Sequence, residues 1–184
     1  MKRSFDSRVD YSLLLPVFCL LVIGVVAIYI AVSHDYPNNV LPILGQQIAW
    51  ISLGLVIGFV VMFFNTEFLW KVTPYLYVLG LALMVLPLVF YNPNLVASTG
   101  AKNWVSIGGT TLFQPSEFMK ISYILMLARV IVQFTQKHKE WRRTIPLDFL
   151  LIGWMIAFTI PVLILLALQS DLGTALVFVA IFSG

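Results

Sequence analysis

Glu117 and Lys120, three residues apart in the stretch FQPSEFMK, and Asp171, in LALQSDLGTAL, are charged side chains set in otherwise apolar surroundings. Carboxylates and an ammonium can move protons or hold an anion, and their spacing bears on which. At i, i+3 Glu117 and Lys120 share one helix face and can offset each other. Pro115 suits the first turn of a helix, and an acid in that turn complements the positive end of the helix dipole, which by itself accounts for Glu117. Lys120 stands roughly 7.5 Å into the helix, a depth at which a charge is costly unless paired, hydrated or extended to the interface. Two readings stay open for it: snorkelling with local pairing, or a charged face lining a hydrated cavity. Asp171 also has two. Either Ser170 or Asp171 simply caps the helix that follows, or Asp171 reaches Lys120 and closes a polar network.

The elements that position these charges follow from composition. The 184 residues are 60% hydrophobic and 10% charged, against roughly one-quarter charged in a soluble domain. The chain is therefore read as an integral membrane protein, all-α, a polytopic transmembrane helix bundle forming a single membrane domain over 1–184. Nothing in it points to nucleic acid. The lone cysteine, Cys19, excludes an intrachain disulfide and a cysteine-rich metal site.

A hydrocarbon core about 30 Å thick needs about 20 apolar residues per helix. Runs of that kind lie at 13–32, 43–64, 72–90 and 149–168. A fifth span, 115–134, is as long but carries Glu117, Lys120 and Arg129, and Arg129 near its far end is read as snorkelling to headgroups. A sixth run, 172–184, reaches only about 20 Å and cannot cross alone, so the chain is expected to be an N-terminal fragment of a longer product and inactive by itself. Lys2 and Arg3 precede the first run, which is too long for a signal h-region and lacks a small-residue cleavage pattern; it is read as a retained helix.

Orientation follows from the bases. With the N-terminus cytoplasmic, Lys2, Arg3, Arg8, Lys71, Lys137, Lys139, Arg142 and Arg143 all lie inside and Lys102 falls in an outer loop. The loop 91–114 and the corner Gln169–Asp171 then face outward, at the level of Glu117 and Lys120. Within the loop, WVSI and TTLF flank Gly108 and Gly109, the pattern of a tight hairpin on the outer surface. Trp104 heads it, either as an interfacial aromatic or as a ligand-binding side chain.

GAKNWVSIGG, FQPSEFMKI and QSDLGTAL, in this order and spacing, resemble the SEDS family (shape, elongation, division and sporulation; RodA, FtsW and SpoVE), more closely its RodA branch. The resemblance covers essentially the whole chain. It implies a bacterial plasma-membrane, multi-pass peptidoglycan glycosyltransferase of about ten helices. Such an enzyme polymerises lipid II, the undecaprenyl-diphosphate-linked disaccharide peptide, in cell elongation and cell-shape control. Its implied partners are a class B penicillin-binding protein and other elongation-complex membrane proteins. Flipping of lipid II has also been attributed to the family. The family's motif residues fall on Trp104, Gln114, Pro115, Ser116, Glu117, Lys120, Asp171, Gly173 and Thr174. Two departures stand out. Ser170 occupies a position where the family usually has proline, and the aspartate proposed there as catalytic base belongs to a later outer loop, beyond residue 184.

Glycan polymerisation has a sugar hydroxyl attack an anomeric carbon and expel a polyprenyl diphosphate, so it needs a base on the acceptor and positive charge at the leaving group. The resemblance thus makes Glu117, Lys120 and Asp171 the charge network, with the two carboxylates holding Lys120 charged and oriented, and Trp104, Lys102, Gln114 and Ser116 candidates for substrate binding. No cofactor is identified. A divalent metal sharing the diphosphate is compatible with the chemistry, although no ligand cluster stands out. The rival readings are a lipid II flippase and a non-catalytic membrane partner of the penicillin-binding protein. A generic transporter is disfavoured, because no inverted repeat is evident and the charges sit near one surface rather than the midplane.

Overall fold

In a hydrocarbon layer no water reaches backbone N–H and C=O groups, so an apolar run must satisfy them within itself, as helix. The computed structural model describes residues 11–108, 110–138 and 145–184. The orienting bases Lys2, Arg3, Arg8, Lys139, Arg142 and Arg143, and the turn residue Gly109, lie outside the described residues. The elements are α1 (Tyr11–Asp35), α2 (Val40–Val61), α3 (Thr66–Val89), α4 (Pro93–Thr99), β1 (Val105–Ile107), β2 (Thr110–Phe113), α5 (Pro115–Lys137), α6 (Ile145–Leu168) and α7 (Leu172–Ser183). Among the described residues five helices are long and apolar enough to cross a membrane, and α7, at 12 residues, is shorter. The fold is the all-α, multi-pass arrangement expected.

Several helices outrun the charge-free runs that announce them. α3 begins at Thr66 rather than 72 and takes Glu67 into its first turn, and α6 begins at Ile145 rather than 149 with Asp148 in its first turn. Charge-free length marks the hydrocarbon section, whereas the helix itself continues until a cap stops it. The outer loop also holds α4, with Asn92 as N-cap accepting from Asn94 N, Pro93 in the first turn, and Gly100 closing it at φ 75.

Contacts gather the chain into two compact units, Met1–Asn65 and Thr66–Gly184. In the first, α1 and α2 pack along one another through a 3-10 turn at Pro37–Asn39, and an apolar groove of about 530 Å³ runs between Leu14, Phe18, Val25 and Ile48, Leu55. No residue of α2 is buried.

The second unit has the core: Met84 from α3, Met119 and Tyr123 from α5, Val162 and Leu166 from α6 and Phe178 from α7 are fully buried. Close approach of α3 to α5 depends on Gly80, where a Cβ would stand 2.5 Å from Met119 Sδ and 3.0 Å from Ser122 Oγ. Tyr123 crosses to α6 with its hydroxyl 2.7 Å from Thr159 Oγ1, and its ring meets Phe178 edge-on at 5.2 Å.

Side chains that reach backbone carbonyls supply the remaining ties. A proline inside a helix removes the N–H that would bond the carbonyl four residues earlier and opens that turn. Pro74 frees the carbonyl of Trp70, and Arg129 of α5 donates to that carbonyl while its guanidinium lies 5.4 Å from the Trp70 ring centroid. Two other helix carbonyls also take side-chain donors, each three residues before a proline: Phe158 O accepts from Tyr77 Oη at 2.5 Å, and Met84 O accepts from Gln169 Nε2 at 2.5 Å. Arg129 is thus not merely extended to headgroups, as expected, but bound to a neighbouring helix.

Candidate functional site

The site is built where α6 turns into α7. The α6 terminus is a Schellman closure: Asp171 N bonds Leu166 O and Ser170 N bonds Ala167 O, both at 3.0 Å, with Ser170 in the left-handed region at φ 59. Proline, locked near −65°, cannot occupy that conformation. The proline that the resemblance leads one to expect at 170 could therefore not take up the backbone that Ser170 adopts.

That closure delivers Asp171 as N-cap of α7, its Oδ1 accepting from Thr174 N at 3.0 Å and its Oδ2 from Thr174 Oγ1 at 2.8 Å. Two amides from elsewhere complete the shell of Oδ2: Asn103 Nδ2 at 2.8 Å and, more loosely, Gln114 Nε2 at 3.5 Å. The residue is 7% exposed. Burial alone would raise its pKa, but the bonds from the Thr174 amide, Asn103, the Thr174 hydroxyl and Gln114 together hold the carboxyl below its ordinary 3.8. A carboxylate so enclosed is a fixed anion and a poor general base.

Gln114 is the N-cap of α5 without a side-chain bond to that helix, which leaves its amide free for Asp171. Pro115 follows at the first helical position, and the Glu117 carboxylate holds Lys120 Nζ at 2.9 and 2.8 Å through its two oxygens. This pair is open: the Lys120 and Glu117 side chains are 27% and 61% exposed. The expected contact between Asp171 and Lys120 is not made. Among the described residues Lys120's ion pair is with Glu117, and the donors to Asp171 are the neutral groups of Thr174, Asn103 and Gln114. Both readings of Asp171 hold in part: it caps a helix and it centres a network, with partners other than the one expected.

The hairpin has the expected antiparallel form, Ile107 opposite Thr110 and Ser106 opposite Thr111, with a bulge at Val105/Ser106 and Gly108 at φ 60. Ser106 N bonds Phe90 O at 2.9 Å and fastens it to the end of α3. Trp104 precedes β1 and is 37% exposed, while Lys102 lays its ammonium 4.6 Å from the Tyr91 ring centroid and gives its backbone N–H to Gln169 O at 2.8 Å. Ser116 is buried, and its Oγ, like Asn103 Oδ1, has no partner among the described residues.

Two residues of this corner, Asn103 and Gln169, were not among those expected. Gln169 is 1% exposed and bonds Met84 O and Lys102 N at once. Its signal is an amide closing a long apolar span, immediately before a charged residue. No group of three or more His, Cys, Asp or Glu is placed to hold a metal among the described residues.

A multi-pass helical fold that carries a caged aspartate and an open lysine–glutamate pair is that of a membrane protein with a built polar corner. Residues 11–184 match the model of the family described as Cell cycle protein, FtsW/RodA/SpoVE, and the chain belongs to that family. It is similar to Peptidoglycan glycosyltransferase RodA of Treponema pallidum (strain Nichols), 30% identical over 176 residues, covering 96% of this chain and 37% of that one. It is also similar to Peptidoglycan glycosyltransferase MrdB of Escherichia coli (strain K12), 30% identical over 177 residues, covering 95% and 43%. The chain therefore spans less than half the length of these relatives. A chain in the solved structure "Structural coordination of polymerization and crosslinking by a peptidoglycan synthase complex" superposes with a TM-score of 0.58 at 29% identity, over 86% of this chain and 44% of that one.

Proposed function

We propose that this chain forms part of a peptidoglycan glycosyltransferase that polymerises lipid II in the bacterial plasma membrane during cell elongation, with its N-terminus cytoplasmic and a class B penicillin-binding protein as partner. The observation that carries the reading is family membership across residues 11–184, with relatives named as peptidoglycan glycosyltransferases. The partner is supported by likeness to a chain of a peptidoglycan synthase complex.

In the reaction the acceptor hydroxyl attacks the anomeric carbon, the bond from that carbon to the diphosphate oxygen breaks, the hydroxyl proton passes to a base, and polyprenyl diphosphate departs. Lys120, held by Glu117 and part-exposed, meets the negative charge that grows on the diphosphate. Lys102 and Trp104 bind the headgroup from the loop, while Gln114 and Ser116 shape the floor beside Asp171. Asp171 is the anchor. Its carboxylate is fully engaged and Glu117 is committed to Lys120, so the acceptor base is assigned to residues other than these.

The test is to incubate lipid II with the purified chain and with any longer product of the same locus, each with and without the partner, and to resolve glycan polymer by electrophoresis. Polymer from the unaltered protein, lost in Lys120→Met at equal membrane insertion, supports the reading. Relocation of lipid II across vesicles without polymer would instead favour the flippase, and full activity of Lys120→Met would remove Lys120 from the chemistry.

A further inference from the structure

The loop that presents Lys102 and Trp104 is tied to the α6–α7 corner at two points flanked by those residues: Lys102 N to Gln169 O at 2.8 Å, and Asn103 Nδ2 to Asp171 Oδ2 at 2.8 Å. The direction of the amide is fixed, because a carboxylate only accepts. Asn103 stands between the two candidate headgroup-binding side chains and is 68 residues from Asp171 in sequence. We infer that Asn103 is the positioning residue through which Asp171 acts: the carboxylate serves the site by holding this loop, and not by holding Lys120. That the loop's cargo is a diphosphate-linked sugar rests on the function proposed above; the coupling of Asn103 to Asp171 does not.

The groups facing the pair are neutral: Thr174 from α7 and Gln114 from the head of α5. The charged groups on the adjoining elements are otherwise engaged, Lys102 over the Tyr91 ring and Lys120 with Glu117. A carboxylate placed at 103 therefore meets Asp171 directly, with neutral groups completing the rest of that shell. Two carboxylates so near cannot both ionise readily, so they share a proton at low pH and repel once it is lost.

The experiment takes the full chain in nanodiscs, with Asn103→Asp, Asp171→Asn and the double exchange, and measures hydrogen exchange of the Lys102 amide by mass spectrometry, each variant against unaltered protein at the same pH. At about pH 8, Asn103→Asp is expected to speed exchange at least about tenfold, the loss of a hydrogen bond to a charged group. Near pH 5 it should return toward the unaltered rate, since the shared proton rebuilds a donor. The double exchange restores an amide–carboxylate pair with the roles reversed, and keeps an N-cap residue at 171, so protection at pH 8 should recover. Unchanged exchange in Asn103→Asp, or loss that neither acid nor the double exchange repairs, would overturn the pairing and leave Asn103 a packing residue. Lipid II binding, measured on the same samples, separates the two claims. Weaker binding by Asn103→Asp at pH 8, recovered in the double exchange, supports the inference. Undiminished binding by a variant with a loosened loop would overturn it. If neither the unaltered chain nor any longer product of its locus binds lipid II, the proposed function fails while the exchange result still decides the coupling.

Discussion

The two charged centres at this end of the second unit contrast in their freedom. Asp171 is 7% exposed and accepts from Thr174, Asn103 and Gln114, which join three separate stretches of chain around one carboxylate. The Glu117–Lys120 pair lies on one helix, one turn apart, with a Glu117 side chain 61% exposed. A saturated buried anion cannot take a ligand without breaking the fold that encloses it, whereas an open i, i+3 pair is cheap to rearrange because its net worth in water is small. The contrast gives the first an architectural place and leaves the second, on the function proposed above, open to meet a ligand.

The largest effect expected from breaking this contrast is in Asp171→Ala. It removes the α7 cap and strands the Asn103 amide, for a loss on the order of 3 kcal/mol in unfolding free energy, read by denaturant titration in detergent. Asp171→Asn, which keeps a capping side chain, should lose less. Ser170→Pro comes next, at about 2–3 kcal/mol, because φ 59 is closed to proline, while Ser170→Gly should gain up to about 1 kcal/mol by relieving the left-handed serine. Arg129→Met takes the guanidinium from a Trp70 carbonyl that Pro74, having no N–H, cannot serve, and should cost about 1–3 kcal/mol; Arg129→Lys keeps a donor and should cost less. Lys120→Met should shift stability by under about 1 kcal/mol while abolishing polymerisation.

The smallest effect is in acid. The Asp171 carboxyl is depressed in the folded state, so its contribution is complete above the ordinary value of 3.8 and is lost as pH falls below it toward the folded pKa. Stability should be flat in this respect at neutral pH, decline below about pH 4, and show less of that decline in Asp171→Asn.

The helices were legible in the sequence because their signal is length and absence of charge. Their ends were not, since Glu67 and Asp148 are helical residues that a charge-free criterion discards. The hairpin was legible from paired glycines between β-prone stretches, and α4 could have been read from Asn92–Pro93 and Gly100, which bracket it as cap, first turn and stop. The Glu117–Lys120 pair was legible because it is local. Asp171's partners were not: Asn103 and Gln114 are 68 and 57 residues away, and an uncharged amide gives no sign in sequence of which acid it will meet. Shared depth in the membrane made a contact between Asp171 and Lys120 a natural expectation. The structure instead lets Lys120 take the carboxylate on its own helix and gives Asp171 neutral donors. Arg129's partner is not legible either, because it is a backbone carbonyl whose availability is written in Pro74.

The separation of anchor from ligand contact is tested most directly by a double-mutant cycle on stability between Asp171→Asn and Lys120→Met in the full chain. Independence of the two centres predicts that the single effects add to within about 0.5 kcal/mol. A coupling energy above about 1 kcal/mol would mean that the two charges share one network, and would contradict the division of roles drawn from their geometry.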